Sequence, residues 1–172
     1  MKVTGYMLMA AIKEHAFARE NAENAFVDSR WKYESEVKDT PEDAMYKYMA
    51  AESNLITVQC AQAEYNQRVI VQLPTGGKKM TLGEAIKRVG MLARIEKQWR
   101  DTAKPRKARF SYLDEEMTGR DPDKVYAERG ISVEGAQAFA KAAAKVTNEV
   151  RVLIQVGNAT EIDMELDPAL FE

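Results

Sequence analysis

Residues 40–65, TPEDAMYKYMAAESNLITVQCAQAEY, decide the fold of this chain because they join a helix start to a long helical period. Thr40 suits the N-cap, Pro41 suits the first helical position, and Asp43 places an acid in the first turn. Small and apolar residues then recur at alternating steps of four and three, which keeps them on one helical face. This second-helix seam consists of Ala44, Tyr48, Ala51, Leu55, Val58, Gln62 and Tyr65. The pattern predicts a helix that continues to about Arg68.

A similar seam precedes this helix, again with alternating steps of three and four residues. The first-helix seam consists of Leu8, Ala11, His15, Ala18, Ala22, Ala25 and Ser29. Thr4 is a suitable cap for its start, and we expect the helix to run to about Val37. Residues 4–68 are therefore predicted to form an antiparallel helical hairpin about 40–50 Å long. Seams this rich in alanine bury little area, so the hairpin should pack on other helices or on another subunit.

The remaining residues predict shorter elements within a single domain that spans residues 1–172. Residues 69–81 combine a β-branched run with a Gly-Gly turn, which is typical of a β-hairpin. Thr81 and Glu84 form a capping box that opens a helix over 82–103. The predicted fold class is mainly α: a long antiparallel helical hairpin plus two shorter helices, with a small β-hairpin.

Beyond the third helix the pattern first weakens and then recovers. Residues 104–131 are predicted to be loop-rich, with a short strand near 107–112 as one option. Ser132 caps a last helix over 132–157, which Gly157 and Asn158 are expected to end. Residues 158–172 form an acidic tail whose alternating apolar positions predict a strand or an extended arm.

Composition excludes several classes of function. The 25 Lys and Arg residues nearly balance 27 Asp and Glu residues, so no coating of DNA by charge alone is expected. A single Cys and a single His argue against disulfide frameworks, paired-cysteine metal sites and most catalytic triads. Without a transmembrane segment or a signal peptide, the chain is expected to be cytoplasmic. We predict no enzymatic activity, no metal site and no cofactor.

The two single residues also have plain structural interpretations. His15 lies on the first-helix seam, where a packed histidine bonded to a neighbouring chain is expected rather than a catalytic residue or a ligand. Cys60 has no partner and is expected to be a buried small hydrophobe rather than a nucleophile. The stretch 75–81, TGGKKMT, lacks the spacing of a phosphate-binding loop, so nucleotide hydrolysis is not predicted.

Charge is distributed unevenly along the chain. Residues 78–109 contain 11 basic and 3 acidic residues, a net charge of +8, whereas residues 159–172 carry five acids and no base. A basic segment next to a Gly-Gly turn and a helix start can hold an anion such as a phosphate or a nucleotide. The same residues can instead form solvated helix faces or pair with the acidic tail. The sequence leaves both interpretations open.

Two segments show a resemblance to a known family. Asn66, the Gly76–Gly77 pair and the stretch 81–88, TLGEAIKR, resemble the signature of the septicolysin-like family of small bacterial helical proteins. The stretch 154–162, IQVGNATEI, is similar to that family's closing segment, with Ala159 in place of an aromatic residue. The resemblance implies a long helical hairpin followed by further helices, in an oligomer. The family's name comes from a proposed cytolysin.

Polar residues beside apolar positions in these segments can converge in one pocket, or they can form a structural hydrogen-bond network. The candidate ligand-binding residues are Asn66, Gly76, Gly77, Lys78, Lys79, Thr81, Arg88, Arg106, Arg109 and Gln155. The leading hypothesis is a non-enzymatic, homo-oligomeric protein that sequesters a small anionic, nucleotide-like ligand, for example as a viral counter-defence sponge. One alternative is a structural module that binds a partner protein through its seams, and another is a cytolysin-like, membrane-active protein.

Overall fold

The computed structural model describes residues 1–31, 39–73, 77, 79–104 and 130–171. Within these residues the helices are α1 (Gly5–Ser29), α2 (Pro41–Arg68), α3 (Leu82–Ala103) and α4 (Val133–Ala159). Short strands and a 3-10 helix at Pro168–Phe171 accompany them. The chain is mainly α with a small β-hairpin, which confirms the predicted fold class.

The described strands form two antiparallel pairs of two residues each. β2 (Ile70–Val71) pairs with β3 (Met80–Thr81), with Ile70 opposite Thr81, and this is the predicted hairpin. β1 (Lys2–Val3) pairs with β4 (Ile162–Asp163), with Lys2 opposite Asp163. The acidic tail thus contains a strand, which was one of the two predicted alternatives. This strand pairs with the one at the start of the chain.

The chain divides into two compact units. The first unit contains Met1–Lys87 and Val150–Glu172, and the second contains Arg88–Glu149. The helical hairpin of α1 and α2 and both strand pairs belong to the first unit. Both α3 and α4 contribute residues to each unit; the second unit is one continuous stretch of the chain, whereas the first combines two separate stretches.

The second-helix seam packs as predicted. All seven of its residues are buried or half-buried, and Leu55, Val58 and Tyr65 are among those withdrawn from solvent. Leu55 and Val58 form a core cluster with Ala11 of α1, against which Ile12 and the tail residues Leu170 and Phe171 pack. Steps of four and three residues therefore identified the face that α2 buries.

The first-helix seam is buried or half-buried at five of its seven positions. Ala18 and Ala25 are exposed, whereas Arg19 and Phe26 turn inward. Arg19 faces α2 because it has two partners there. Its Nε donates to Glu52 at 3.0 Å, and its guanidinium lies 5.8 Å from the centre of the Tyr48 ring. A charged side chain with partners on the next helix thus displaced an alanine from the buried face.

α1 is shorter than predicted and α4 is longer. α1 ends at Ser29, where its small-residue pattern also stops, instead of near Val37; residues 32–38 lie outside the described part. α4 begins after its Ser132 cap, whose Oγ accepts the Gly135 amide at 3.0 Å. It continues through Gly157 and Asn158 to Ala159, so these two residues do not end it.

Gly157 serves close packing instead of helix termination. It is buried, and a Cβ built on it would lie 2.8 Å from Leu82 Cδ1 and 3.1 Å from Val71 Cγ1. These distances are shorter than ordinary van der Waals contact, so only glycine lets α4 approach the β-hairpin and the start of α3 this closely.

The single His and the single Cys have different outcomes. His15 is half-buried, and its Nε2 lies 3.0 Å from the carbonyl oxygen of Leu170 in the same chain, so the histidine is packed as predicted but its described partner is not a neighbouring chain. Cys60 is exposed, which contradicts the prediction of a buried small hydrophobe. The error has a simple cause, because Cys60 lies off the seam that α2 turns toward α1.

Tyr65 joins three helix ends in the first unit. Its ring is fully buried, and its hydroxyl lies 2.6 Å from each of the Gly157 and Thr160 carbonyl oxygens at the end of α4. The same oxygen accepts a hydrogen bond from the Gly5 amide at the start of α1. One side chain of α2 therefore contacts backbone groups at both helix ends; its single proton goes to one carbonyl at a time, and the Gly157 carbonyl also accepts the Thr160 amide at 3.1 Å.

Ionisation of Tyr65 should weaken the fold at high pH. Burial raises the pKa of Tyr65 above its ordinary value, although the Gly5 hydrogen bond lowers it in part. The unfolded chain therefore loses this proton first, and stability falls as pH rises above about 10. Urea unfolding between pH 8 and pH 11 should show a steeper loss for the wild type than for Tyr65→Phe. Parallel pH profiles would contradict this assignment.

Candidate anion-binding site

The predicted candidate residues near the β-hairpin have local structural contacts. Thr81 and Glu84 form the predicted capping box: Thr81 Oγ1 accepts the Glu84 amide at 3.1 Å, and Glu84 Oε2 accepts the Thr81 amide at 3.0 Å. The carboxylate already satisfies donors at the start of α3 and brings a negative charge there. The Gly77 carbonyl accepts from Gln72, and Lys79 is exposed.

The other candidates are spread over both units. Asn66 is half-buried and its backbone carbonyl packs closely on Gly83, just after the capping residue Thr81. Gln155 is exposed, and its backbone oxygen lies 3.4 Å from the Tyr6 hydroxyl. Arg88 is exposed and belongs to the second unit. The candidates outside the described residues are Gly76, Lys78, Arg106 and Arg109.

A groove in the second unit combines positive charge with small apolar side chains. It lies between the end of α3 and the first half of α4 and has a volume of about 480 Å³. Its described lining residues are Arg100, Ala103, Lys104, Gln137, Ala140, Lys141 and Ala144. Three of the seven are cationic and none is acidic, so the groove offers an anion charge partners around an alanine surface.

Two of the three cations are held by acids on their own helix. Arg100 Nη2 lies 2.6 Å from Glu96 Oε1, and Lys104 Nζ lies 2.6 Å from Asp101 Oδ1. The hydrogen bond from Lys104 lowers the pKa of Asp101 below its usual value, so this pair stays ionised. Such exposed pairs contribute little to stability and can exchange partners when a ligand arrives. Lys141 on α4 is exposed at the opposite wall.

An aromatic pair connects the two walls of this groove. Trp99 of α3 stacks on Phe139 of α4, with ring centroids 4.8 Å apart and an interplanar angle of 23°. Each ring belongs to the residue that directly precedes a lining residue, Arg100 or Ala140. Stacked rings at this distance hold two helices together more firmly than alanine contacts do. The pair therefore fixes the walls next to the charged groups.

Sequence reasoning found part of this groove but not its residues. Arg100 and Lys104 lie in the 78–109 segment that carries the +8 charge, yet neither was singled out. Lys141 comes from the last helix, where Gln137, Ala140, Lys141 and Ala144 form one face. Their mutual spacing of three, one and three residues was the available signal.

The described contacts of the acidic tail come from the start of the chain, from α1 and from α2. The Met1 ammonium donates to the Met164 carbonyl at 2.7 Å, and Arg68 Nη2 donates to the Asp163 carbonyl at 2.9 Å. Lys2 lies 4.0 Å from Glu161. All of these donors lie outside the basic segment 78–109.

Comparison with known proteins identifies a shared fold and no family. No protein-family model matches the chain, and no curated protein matches its sequence. A crystal structure of a functionally unknown conserved protein from Corynebacterium diphtheriae superposes with a TM-score of 0.62 at 13% identity, covering 95% of this chain and all of that one. Among the described helices of this chain, none has the length and apolar character needed to cross a membrane. The chain is therefore similar in fold, over nearly its whole length, to a protein of unknown function.

Proposed function

We propose that this protein is a non-enzymatic binding protein that holds a small anionic, nucleotide-like ligand in the groove between α3 and α4. The observation that carries the proposal is the set of three cations, Arg100, Lys104 and Lys141, around an alanine surface. Phosphate groups need cationic donors, whereas a base needs an apolar surface to cover its faces. The groove offers both within one compact unit.

Size and charge support the same ligand class. The volume of about 480 Å³ falls within the range of roughly 300–1,000 Å³ usual for small-molecule sites. The second unit, Arg88–Glu149, contains 13 basic and 10 acidic residues, a net charge of +3, although the whole chain carries −2. An anion is therefore attracted to this unit rather than to the chain in general.

Calorimetric titration with a panel of nucleoside mono-, di- and triphosphates and cyclic dinucleotides tests the proposal. We expect binding of at least one phosphorylated member and none of the matching uncharged nucleosides, with an affinity that falls as salt rises. The titrated nucleotide should be recovered unchanged, because the proposal assigns binding and no reaction. No heat from any member of the panel at low salt would overturn it.

The alternative of a module that binds a partner protein through its seams stays a prediction, and the burial of the second-helix seam bears on how it would be tested. Leu55 is buried between α2 and α1, so Leu55→Asp would unfold the hairpin instead of removing a docking residue. Substitutions at the exposed seam residues Ala18 and Ala25 are better suited to that test. The septicolysin-like resemblance and the membrane activity that its name implies stay predictions.

A further inference from the structure

The outward side of α2 carries almost no charge. Residues 48–63 contain a single charged residue, Glu52, which is half-buried and bonded to Arg19. The exposed residues in this range are Met49, Ala50, Ser53, Asn54, Ile56, Thr57, Gln59, Cys60 and Ala63. In a chain in which 30% of residues are charged, a helix side of this length without charge is unusual. Depletion of charge is what distinguishes the centre of a protein interface from ordinary surface.

A regular stripe runs along this side at steps of three and four residues. We call it the outer stripe, and it consists of Tyr46, Met49, Ser53, Ile56, Cys60 and Ala63. Tyr46, Met49 and Ile56 are 72%, 59% and 51% exposed. The stripe spans 18 residues, or about 27 Å at 1.5 Å per residue. A seam with a repeat of 3.5 residues is the pattern by which one helix packs along another.

The order of side-chain sizes along the outer stripe selects its occupant. When two copies of the stripe run antiparallel, Tyr46 faces Ala63, Met49 faces Cys60, and Ser53 faces Ile56. Every layer then pairs a large side chain with a small one, which fills space evenly. A parallel pair would instead put Tyr46 against Tyr46 and Ala63 against Ala63, with crowded and empty layers.

The charges at the two ends of α2 favour the same arrangement. Its first turn carries Glu42 and Asp43, and its last turn carries Arg68. In the antiparallel register the acidic end of each copy lies beside the basic end of the other, and the helix dipoles oppose. A parallel pair would bring the acids of the first turn together, whereas Arg68 at the other end is already paired with Glu64 at 2.9 Å.

We propose that the outer stripe binds the same stripe of a second copy of this chain, with the two α2 helices antiparallel about a two-fold axis midway between Ser53 and Ile56. The interface is isologous, so both copies contribute the same residues. This pairing is independent of the ligand, because the groove between α3 and α4 belongs to the second unit and α2 to the first.

Cysteine cross-linking on the full-length protein tests the register. In Met49→Cys, the new cysteine of each copy faces the native Cys60 of the other, so mild oxidation should give a covalent dimer on a non-reducing gel. The wild type should give none, since its two Cys60 residues lie 11 positions apart along the axis, about 16 Å. That separation is well beyond the roughly 7 Å between Cα atoms that a disulfide spans.

Two further variants make the result decisive. Asn54→Cys adds an equally exposed cysteine outside the stripe and should not cross-link. Light scattering should give about twice the chain mass of 19.4 kDa for the wild type and for Asn54→Glu, but the monomer mass for Ile56→Glu with unchanged helical circular dichroism. A wild-type Cys60–Cys60 dimer would show a parallel pair and overturn the proposal. A monomeric wild type at concentrations up to hundreds of micromolar would overturn it too.

Discussion

Tyr65→Phe is expected to lower the free energy of unfolding by about 1–3 kcal/mol, although it removes a single oxygen atom. That oxygen accepts the Gly5 amide and lies 2.6 Å from two carbonyl oxygens at the end of α4, all in a buried setting. Phenylalanine keeps the packing but removes the contacts of the hydroxyl to these backbone groups, and the Gly157 carbonyl then keeps only the Thr160 amide as a partner. Chemical denaturation followed by helical circular dichroism measures the loss.

Tyr6→Phe is the matched control for this change. The Tyr6 hydroxyl is about half exposed and makes one long contact, 3.4 Å to the Gln155 carbonyl, so its removal should cost less than about 0.5 kcal/mol. Equal losses for the two variants would contradict the role of Tyr65 as the connection among α1, α2 and α4. Tyr65→Ala should lower the free energy of unfolding more than Tyr65→Phe does, with a total loss of roughly 3–5 kcal/mol, because it also leaves a cavity where the ring was.

Gly5→Ala is the second large effect, at about 1–3 kcal/mol of lost stability. A Cβ at Gly5 would lie 3.0 Å from the Asn158 Cα and 3.0 Å from Tyr65 Cε1, and it would also meet the Asn158 side chain. The Asn158 backbone and the buried Tyr65 ring cannot move aside as easily as the end of a flexible side chain can. The start of α1 would therefore move away from the end of α4 and stretch the Gly5 hydrogen bond to Tyr65.

Gly90→Ala provides a control of opposite sign. A Cβ at Gly90, within α3, would have Arg94 Nη1 at 3.9 Å as its one neighbour among the described residues. The same substitution there should stabilise the protein by about 0.5–1 kcal/mol, since alanine favours helix. A stabilising Gly5→Ala, measured in the same denaturation series, would show that α1 and α4 do not meet as closely as described.

Much of the fold could be predicted because its signals are local. The Thr40 cap, the capping box of Thr81 and Glu84, and the second-helix seam each depend on residues within a few turns of one helix. The structure shows all three, with the Thr40 Oγ1 accepting the Asp43 amide at 3.2 Å. Helix starts and buried faces of this kind need no knowledge of distant contacts.

The features that could not be predicted depend on residues far apart in the chain. Gly157 looked like a helix stop, since nothing local shows that Leu82 and Val71 pack against it. The inward turn of Arg19 depends on Glu52 of another helix. The strand pair of Lys2 with Asp163 joins opposite ends of the sequence. Periodicity within one segment carries no information about such partners.

For the candidate groove, too, one part could be predicted from local sequence and the other part depends on long-range contacts. The excess of positive charge in 78–109 was visible in the sequence and led to the prediction of an anionic ligand. Lys141 could not be added to it, because the groove forms only when α4 lies beside α3 and Trp99 stacks on Phe139. Charge along the chain therefore led to the proposed class of ligand, whereas the proposed groove could be located only with the fold.

The most direct test of the proposed function compares Lys141→Gln with Lys145→Gln. Both lysines are exposed on α4, but only Lys141 lines the groove. Titrating the tightest-binding nucleotide of the panel at fixed salt should give a Kd about tenfold weaker for Lys141→Gln, since a charge-assisted contact contributes on the order of 1.5 kcal/mol. Lys145→Gln should stay within about twofold of the wild type. Equal affinities for both variants and the wild type would contradict a ligand site between α3 and α4.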